Sequence, residues 1–470
     1  MTLLDDLRTA LGGAHVLTGA EAGPWARDWT GAWAGEPLAV LRPASTAEVA
    51  ACLRLAHAAR APVVPAGGRT GLTGATHAPG SLVLSLDRMR SIRALKAGAR
   101  LAVAEAGVVL DRLNDAAGAH GLRLALTFGA RGSATVGGVL STNAGGSNVL
   151  AFGSAREQCL GLEVVLADGR VLNLLSELHK DNAGYALRHL FVGAEGTLGV
   201  ITAAVLRLVP RPAATATAML AVPSVAGALA LLARLREEVG PVEAFEYMPR
   251  SYIRRDLAAR AGAREPFDRP QDHAILVEVA SPSPRDGEPG PDGAAPLQAR
   301  LDALLADALD RGDLLDAVPA QSEGQRRAMW ERREAAAEIT HSRHPFVDVD
   351  VALPLDRVGE FLVGARETLE RLDPGAEDLV VAHLGDGNIH WSAFPTRDDP
   401  DHMEAIRSAV DAVAVSLGGT FSAEHGIGLL KRPSMALHKD PVALDVMRAV
   451  KRALDPEGIL NPSKVLPDGS

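Results

Sequence analysis

The sequence predicts an α+β protein of at least two domains. A chain of 470 residues is too long for a single hydrophobic core, and its hydrophobic content of 47% is enough for sizeable cores. Residues 1–212 alternate short apolar strands with helices and glycine-rich loops. Residues 213–400 mix amphipathic helices with strands and contain an Asp-Gly hairpin signal, and residues 401–470 form a C-terminal segment. We take these ranges as the predicted domain organisation.

In the first domain, predicted strands end in glycine-rich loops. Ser45 and Glu48 have the spacing of a capping box before an apolar helical face, and strands are predicted over 62–65, 82–86, 101–106 and 200–209. Three glycine-rich loops occupy 66–74, 132–146 and 193–199. Glycines let backbone N–H groups approach a ligand and form nests that bind anions. The first two loops also contain hydroxyl side chains, namely Thr70, Thr73, Ser133, Thr135 and Ser141.

These loops predict a large cofactor that carries phosphate. The sequence has no Walker pattern and no strict G-x-G-x-x-G motif that opens a helix. The usual modes of binding ATP and NAD are therefore disfavoured.

The second domain is predicted to combine helices with a sheet. Ser224 is a plausible N-cap for a helix over 224–239, and a single helix is predicted over 321–340. Alternating Val and Asp residues predict a strand over 346–353 that exposes Asp348 and Asp350 on one face. A short strand is also predicted over 420–422.

The candidate chemistry centres on VVAHLGDGNIHWSAF, residues 380–394, where two β-prone runs flank Asp386-Gly387. Asp-Gly is a strong signal for a two-residue hairpin loop, because both turn positions require positive φ. Such a loop places His383 opposite His390 and puts Asn388 on the same face. Two imidazoles held in this way would fill half of the coordination positions of zinc or a similar ion. In catalytic sites such an ion takes three protein ligands and keeps one position open.

Composition excludes several classes of function. The formal net charge of −10 gives no electrostatic basis for binding nucleic acid or an anionic membrane surface. The two cysteines, Cys52 and Cys159, lack a CxxC neighbour and predict reduced thiols in the cytosol. The N-terminal residues lack the pattern of a signal peptide, and no apolar run is long enough to span a bilayer. We therefore expect a cytoplasmic protein, and peripheral attachment to a membrane stays open.

Several segments resemble the FAD-linked D-2-hydroxy acid dehydrogenases of the vanillyl-alcohol-oxidase or PCMH type. This family includes FAD-dependent D-lactate dehydrogenases, the flavin subunit of glycolate oxidase and D-2-hydroxyglutarate dehydrogenase. The resemblance covers nearly the whole chain. The segments that carry it are PAGGRTGLTGAT (65–76), TVGGVLSTNAGG (135–146), GAEGTLGVIT (193–202), HLGDGNIH (383–390), EHGIG (424–428) and LDPEGILNPSK (454–464).

The resemblance implies a two-subdomain PCMH-type FAD-binding module, a substrate cap built on an antiparallel sheet, and a C-terminal segment that returns to the flavin. Some relatives attach FAD covalently through a histidine in the first loop. Arg69 follows Gly67-Gly68 here, so FAD is expected to be non-covalent. The implied cofactor-binding residues are Pro65, Gly67, Gly68, Arg69, Thr70, Gly71, Leu72, Gly74, Ser133, Thr135, Gly137, Gly138, Ser141, Asn143, Gly145, Gly146, Glu195, Gly196, Gly199, Ile201 and Asn461.

The resemblance also implies that His383, His390 and Glu424 bind a divalent metal, with zinc expected, and that His425 is the catalytic base. Asn388, Arg333 and His425 are the implied substrate-binding residues. The chemistry agrees, because a 2-hydroxy acid can chelate a metal that lowers the pKa of its hydroxyl group. A base then takes the hydroxyl proton as hydride passes from C2 to the flavin.

The expected substrate is a D-2-hydroxy acid with one carboxylate, such as D-lactate or a larger analogue. In our alignment, 2-hydroxyglutarate enzymes carry lysine at the position of Asp348 and threonine at the position of Ala337. An aspartate there would repel a second carboxylate. D-2-hydroxyglutarate itself is the alternative substrate. Electrons are expected to pass to a quinone, a cytochrome or an electron-transfer flavoprotein, and a homodimer is compatible with the sequence.

Three other functions compete with this interpretation. An oxidase of sugars or alcohols would need no metal. A non-catalytic flavin subunit of a complex such as glycolate oxidase could dispense with the metal-binding residues and with His425. A zinc-stabilised binding module would leave the three glycine-rich loops unexplained.

Overall fold

The computed structural model describes residues 2–290 and 293–468 of the chain. The chain folds into two compact units. The first unit comprises Met1–Gly145, Phe152–Pro210 and Glu424–Ser470, and the second comprises Gly146–Ala151 and Arg211–Ala423. Within the described residues, we find no helix with the length and apolar character needed to cross a lipid bilayer.

The first unit contains three sheets. Its strands are β1 (Val16–Leu17), β2 (Ala39–Leu41), β3 (Val63–Ala66), β4 (Leu82–Ser85), β5 (Ile92–Lys96), β6 (Leu101–Glu105), β7 (Leu122–Arg123), β8 (Cys159–Val165), β9 (Val171–Leu174), β10 (Val200–Arg207) and β11 (Val209–Pro210). A four-stranded sheet has the order β1-β2-β4-β3, in which β2, β4 and β3 are parallel. A five-stranded antiparallel sheet has the order β5-β6-β10-β8-β9, and a third sheet pairs β11 with β7.

Helices of the first unit bury their apolar faces against these sheets. The helices are α1 (Leu3–Leu11), α2 (Thr46–Ala59), α3 (Leu110–Gly118), α4 (Val136–Thr142), α6 (Ala155–Gln158), α7 (Arg188–Phe191), α15 (Arg432–His438) and α16 (Pro441–Leu454). Helix α5 (Val149–Phe152) spans a boundary in sequence between the two units. Ser45 caps α2, as its sequence pattern predicts, because its side chain accepts a hydrogen bond from the Glu48 N–H group.

Both cysteines are buried in the core of the first unit as free thiols. Burial raises the pKa of Cys52 and that of Cys159 to about 12. Because the thiolate is the reactive form, we expect neither cysteine to react with an aromatic disulfide reagent in the native protein. Unfolding in urea should release both thiols at once. A thiol that titrates rapidly in the folded protein would contradict this prediction.

The second unit is built on one seven-stranded antiparallel sheet. Its strands are β12 (Ala214–Ala221), β13 (Val242–Pro249), β14 (His273–Ser281), β15 (Asp316–Pro319), β16 (Val347–Ala352), β17 (Glu377–His383) and β18 (Asn388–Phe394). Their order in the sheet is β15-β12-β14-β13-β17-β18-β16. The helices of this unit are α8 (Val225–Glu238), α9 (Arg250–Ala259), α10 (Pro296–Asp310), α11 (Glu323–Glu334), α12 (Ala336–His341), α13 (Val358–Leu372) and α14 (Pro400–Ser416).

The two faces of this sheet differ in chemistry because side chains alternate along each strand. One face carries residues such as Val349 and Trp391 and packs against α8, α10, α13 and α14. The opposite face carries a mixture of apolar and charged side chains and packs against α9, α11 and α12. The candidate site lies on this second, partly polar face.

Three details differ from the sequence predictions. The single helix predicted over 321–340 is two helices, α11 and α12, which are separated at Ala335. Residues 420–422 form no strand; Thr420 makes only an isolated bridge to Ala352. Asp348 and Asp350 do share a face, but Asp350 is buried, with 1% exposed, and its carboxylate accepts hydrogen bonds from Asn388 Nδ2 and from the Ala423 N–H group.

Candidate active site

A row of polar side chains crosses the second unit's sheet. Glu246 on β13 lies opposite His383 on β17, which in turn lies opposite Asn388 on β18. His390 follows Asn388 by two residues and lies opposite Asp350 on β16. Because residues opposite each other or two apart share a face, all five side chains project from the same side of the sheet.

The hairpin that brings the histidines together has a different register from the predicted one. The strands end at His383 and begin again at Asn388, so the loop has residues 384–387 rather than Asp386-Gly387 alone. The Gly387 carbonyl group is bonded to the Leu353 N–H group, and this contact draws it out of a two-residue turn. The register shift is an even number of residues, so His383 and His390 still share a face, with ring centroids 5.3 Å apart.

Glu246 holds two of the candidate residues together. Its side chain is fully buried, and its carboxylate lies 2.8 Å from His383 Nδ1 and 2.7 Å from Arg333 Nε. Burial by itself would raise the pKa of Glu246, but the charges of His383 and Arg333 outweigh burial and lower it below its usual range. Glu246 is therefore an anion that orients both a histidine and an arginine.

Asp350 plays a similar part beside the second histidine. Its Oδ1 atom lies 3.7 Å from His390 Nδ1 and accepts a hydrogen bond of 2.8 Å from Asn388 Nδ2. Asn388 Nδ2 also donates to the carbonyl oxygen of Val351. Each histidine of the pair thus has a buried carboxylate near its Nδ1 atom.

Three arginines of α11 reach the sheet and its covering helix α9, and each meets a buried carboxylate. Arg326 pairs with Glu278, Arg332 pairs with Asp256, and Arg333 pairs with Glu246. Glu278 also accepts hydrogen bonds from Thr217 and from the Trp330 indole. These ion pairs fix the position and rotation of α11 over the polar face.

Asp348 and Ala337, the two positions predicted to bear on substrate choice, lie in the second unit. Asp348 is on β16, two residues before Asp350, and accepts a hydrogen bond of 3.0 Å from Ser392 Oγ. Ala337 is in α12, the helix that follows α11. Asp348 thus places a carboxylate on the same face as the histidine pair.

In the first unit, the first glycine-rich loop packs tightly against the second. A Cβ atom on Gly67 would lie 2.4 Å from Thr135 Oγ1, and one on Gly68 would lie 2.1 Å from the Ser133 carbonyl oxygen. Thr135 in turn caps α4 by accepting a hydrogen bond from Gly138 N–H. Arg69 has φ of 55°, and its guanidinium donates to the Pro24 carbonyl group and stacks on Trp25. Gly67 and Gly68 are therefore required by packing, because a side chain at either position would collide with the second loop.

The third glycine-rich loop is tied to the EHGIG segment through Glu195. This buried carboxylate accepts hydrogen bonds from the N–H groups of Ile427 (2.6 Å) and Gly428 (2.9 Å). Burial raises the pKa of Glu195, although these two donors oppose the shift. The neighbouring Asn461 donates from Nδ2 to the Glu195 carbonyl oxygen, at 2.7 Å. Its buried Oδ1 atom has no hydrogen-bond partner within the described chain.

The other residues predicted to bind the cofactor have varied local roles. Gly137 and Gly199 allow close packing against Ala106 and Val164, and Gly196 allows it against Pro65. Ser141 donates back to the Gly137 carbonyl oxygen, Asn143 ends α4 at φ of 52°, and Ile201 is buried in β10. The remaining predicted residues lie within or directly beside the first two loops, namely Thr70, Gly71, Leu72, Gly74, Gly138, Gly145 and Gly146.

Glu424 and His425 begin the last segment of the first unit. Both side chains are partly buried, and His425 Nε2 lies 3.8 Å from Glu424 Oε1. The His425 carbonyl oxygen lies 3.5 Å from Thr73 Oγ1 in the first glycine-rich loop. Within this unit, the two residues therefore lie next to the loop predicted to bind the cofactor.

The chain matches two protein families. Residues 37–175 match an FAD binding domain, and residues 211–465 match the C-terminal domain of FAD linked oxidases. The chain is 37% identical over 449 residues to mitochondrial D-2-hydroxyglutarate dehydrogenase of Bos taurus, a match that covers 94% of this chain and 79% of the relative. It is 34% identical over 447 residues to D-2-hydroxyglutarate dehydrogenase of Xanthomonas citri pv. viticola, covering 94% and 92%.

Solved structures with the same fold are more distant in sequence. A p-cresol methylhydroxylase with bound substrate superposes with a TM-score of 0.76 at 14% identity, covering 99% of this chain and 96% of that one. An alkyldihydroxyacetonephosphate synthase superposes with a TM-score of 0.74 at 16% identity, covering 98% and 84%. These likenesses establish the fold alone, and they confirm the predicted PCMH-type architecture.

Proposed function

We propose that this chain, which belongs to the FAD-linked D-2-hydroxy acid dehydrogenase family, oxidises a D-2-hydroxy acid to the 2-oxo acid with the help of FAD and a divalent metal. One observation carries this proposal. In a chain with an FAD binding domain, two histidines share one sheet face, and a buried carboxylate orients one of them together with an arginine of helix α11.

The histidine pair fits a metal site in the chemistry of its donors. His383 directs Nδ1 toward Glu246, which leaves Nε2 as the ligand atom, and Asp350 stands in the corresponding place beside His390. A carboxylate partner on the second ring nitrogen is the usual arrangement for a metal-binding histidine. The family resemblance assigns Glu424 as the third ligand. Two nitrogens and one oxygen suit zinc, which we propose here, and also manganese and iron(II).

Arg333 and Asn388 are the proposed anchors for the substrate. Glu246 contacts Arg333 through Nε, and Arg333 Nη2 lies 3.4 Å from His383 Nδ1, so Nη1 is the guanidinium nitrogen proposed to meet a substrate carboxylate. Asn388 uses its Nδ2 atom to hold Asp350 and Val351, which makes Oδ1 the atom offered to the substrate hydroxyl. These contacts would present C2 of the substrate in a single orientation.

His425 is the proposed catalytic base, and it would accept the proton of the C2 hydroxyl at an imidazole nitrogen. When bound, FAD supplies the hydride acceptor and the divalent cation supplies a Lewis acid for the hydroxyl oxygen. The backbone cradle of Gly67 and Gly68 and the unpartnered Oδ1 atom of Asn461 fit the binding of FAD in the described structure. The electrons would leave to a quinone, a cytochrome or an electron-transfer flavoprotein.

We propose a substrate with a single carboxylate, such as D-lactate or a larger analogue. The carboxylate of Asp348 on the site's face disfavours a second anionic group, and Arg326 and Arg332 of α11 already have carboxylate partners. D-2-hydroxyglutarate is the second candidate, because the curated relatives named above carry that name. The two candidates are separated by comparing kcat/KM for D-lactate with kcat/KM for D-2-hydroxyglutarate. A larger value for D-lactate supports the first candidate, and a larger value for D-2-hydroxyglutarate supports the second.

The experiment that tests the function is anaerobic reduction of the purified holoenzyme by D- and L-2-hydroxy acids, before and after chelation. We expect one D-acid to bleach the flavin absorbance, chelation to abolish this reaction, and a divalent metal to restore it. A protein that holds both FAD and metal but is bleached by none of the acids would overturn the proposal. That outcome would favour the non-catalytic flavin subunit.

A further inference from the structure

The C-terminal residues 459–465 form a strap across the end of a parallel strand. Leu460 pairs with Val63 of β3, and Asn461 N–H donates to the Val63 carbonyl oxygen at 2.8 Å. Asn461 Nδ2 then reaches the carbonyl oxygens of Ala75 and Glu195. The strap thus lies beside the first and third glycine-rich loops.

The backbone of this strap is strained. Asn461, Ser463 and Val465 have φ of 39°, 60° and 64°, so three residues in a stretch of five adopt a conformation that glycine favours. The positive φ of Val465 is the most unusual, because a β-branched side chain crowds the backbone there. Strained residues of this kind cluster at binding sites.

The strained strap contains one buried lysine, Lys464. The side chain of Lys464 is buried, with 6% of the residue exposed, and its ammonium donates one long hydrogen bond of 3.3 Å to the Pro462 carbonyl oxygen. The ionisable groups around it are Glu195, Arg432 and His77. Among the described residues, no carboxylate forms an ion pair with the Lys464 ammonium, and the nearby Glu195 carboxylate accepts hydrogen bonds from two backbone N–H groups. Burial, followed by the charge of Arg432, lowers the pKa of Lys464 to about 8.

We propose that the Lys464 ammonium binds the diphosphate of FAD, a role that rests on the FAD dependence proposed above. The strap joins the first glycine-rich loop through two contacts: Val465 N–H donates to the Gly428 carbonyl oxygen, and Gly428 fits closely against the Thr73 carbonyl oxygen. Glycine-rich loops of this kind form nests of N–H groups that bind anions, and the packing of Gly67 and Gly68 leaves no room for a side chain there. A diphosphate there supplies the counter-charge that the buried ammonium lacks.

The test is Lys464→Met, with Lys439→Met as the matched control because Lys439 is exposed on the same unit. FAD binding to the apoprotein is measured at pH 7 by quenching of flavin fluorescence. We expect the FAD affinity of the Lys464→Met variant to fall about 10- to 100-fold, the usual range for losing a charged hydrogen bond. The control should bind FAD as the unaltered protein does.

The stability of the apoprotein separates binding from a purely structural role. A buried charge without a partner disfavours the folded state, so Lys464→Met should leave the thermal midpoint of the apoprotein unchanged or raise it. If the variant lowers this midpoint and leaves FAD affinity intact, the lysine is structural and the proposal is wrong. A changed flavin reduction potential at unchanged affinity would place the ammonium at the isoalloxazine ring and would also overturn it.

The pH dependence of FAD affinity gives a second readout. Below pH 8 the lysine of the apoprotein is already protonated, so affinity should be constant, and above pH 8 affinity should fall as binding requires uptake of a proton. Lys464→Met should abolish this dependence, and Lys464→Arg should restore the affinity without it. These binding measurements need no substrate. If the expected effects on FAD affinity are found but the protein oxidises no hydroxy acid, the proposed function is wrong and the proposed role of Lys464 stands.

Discussion

Glu246→Gln is expected to weaken the binding of a divalent metal about 10- to 100-fold, the usual effect of removing the carboxylate behind a metal-binding histidine. Glu246 lies 2.8 Å from His383 Nδ1 and so orients the ring whose Nε2 atom is proposed to bind the metal. The same substitution leaves the buried Arg333 guanidinium without its anion. Losing one partner of a buried ion pair destabilises a protein by about 3–5 kcal/mol.

The matched control is Glu278→Gln. Glu278 belongs to the same sheet and pairs with Arg326 of the same helix, but its side chain contacts Thr217, Arg326 and Trp330 rather than a histidine. Both variants should unfold at lower urea concentration. Only Glu246→Gln should lower metal affinity, measured by competition with a chromophoric chelator, and raise the KM for the hydroxy acid. Equal metal affinity in the two variants would remove Glu246 from the proposed site.

The sequence alone located the histidine pair but not its register. Asp386-Gly387 identified the hairpin, and the alternation of side chains made the shared face of His383 and His390 insensitive to an even shift. The shift arises from a contact with Leu353, which lies outside the hairpin, so no local pattern encodes it. A sequence can therefore predict which side chains share a face of a hairpin more reliably than it predicts which residues lie opposite each other.

Glu246 was missed because its role depends on strand order. It lies 137 residues before His383, and only the placement of β13 beside β17 brings them together. The one local signal is a glutamate inside the apolar strand VEAFEYMP, which has to be paired if it is buried. Asp350 was noticed in sequence but was predicted to be exposed, because its burial depends on contacts with residues far along the chain, such as Asn388 and Ala423.

The glycine-rich loops were the other partial success. Their glycines predicted a backbone cradle, and Gly67 and Gly68 do require the absence of a side chain. The reason is packing against Thr135 and Ser133, however, which the sequence cannot distinguish from space kept for a ligand. A glycine can serve both purposes. Without a side chain, its backbone can pack closely against a second loop and still direct its N–H group toward a ligand.

His425→Gln is expected to lower the rate constant for flavin reduction by about 100- to 10,000-fold, the range attributed to a general base. Glutamine keeps a polar group of similar reach but cannot accept the hydroxyl proton. Because Glu424 and His425 are adjacent, with His425 Nε2 at 3.8 Å from Glu424 Oε1, metal content has to be measured in the same preparation. The matched control is His120→Gln, since His120 is exposed in the first unit.

The pattern across these measurements separates a base from a ligand. If His425 is only a base, its replacement should not affect the binding of FAD or metal. The His425→Gln variant should therefore purify with both cofactors at the level of the unaltered protein. Its flavin should be reduced slowly in a single anaerobic turnover. Loss of the metal would instead make His425 a ligand, and restoration of the rate by excess divalent metal would confirm that reassignment. An unchanged rate with both cofactors bound would require the hydroxyl proton to pass to another group, and Glu424 would then be the first candidate to replace with glutamine.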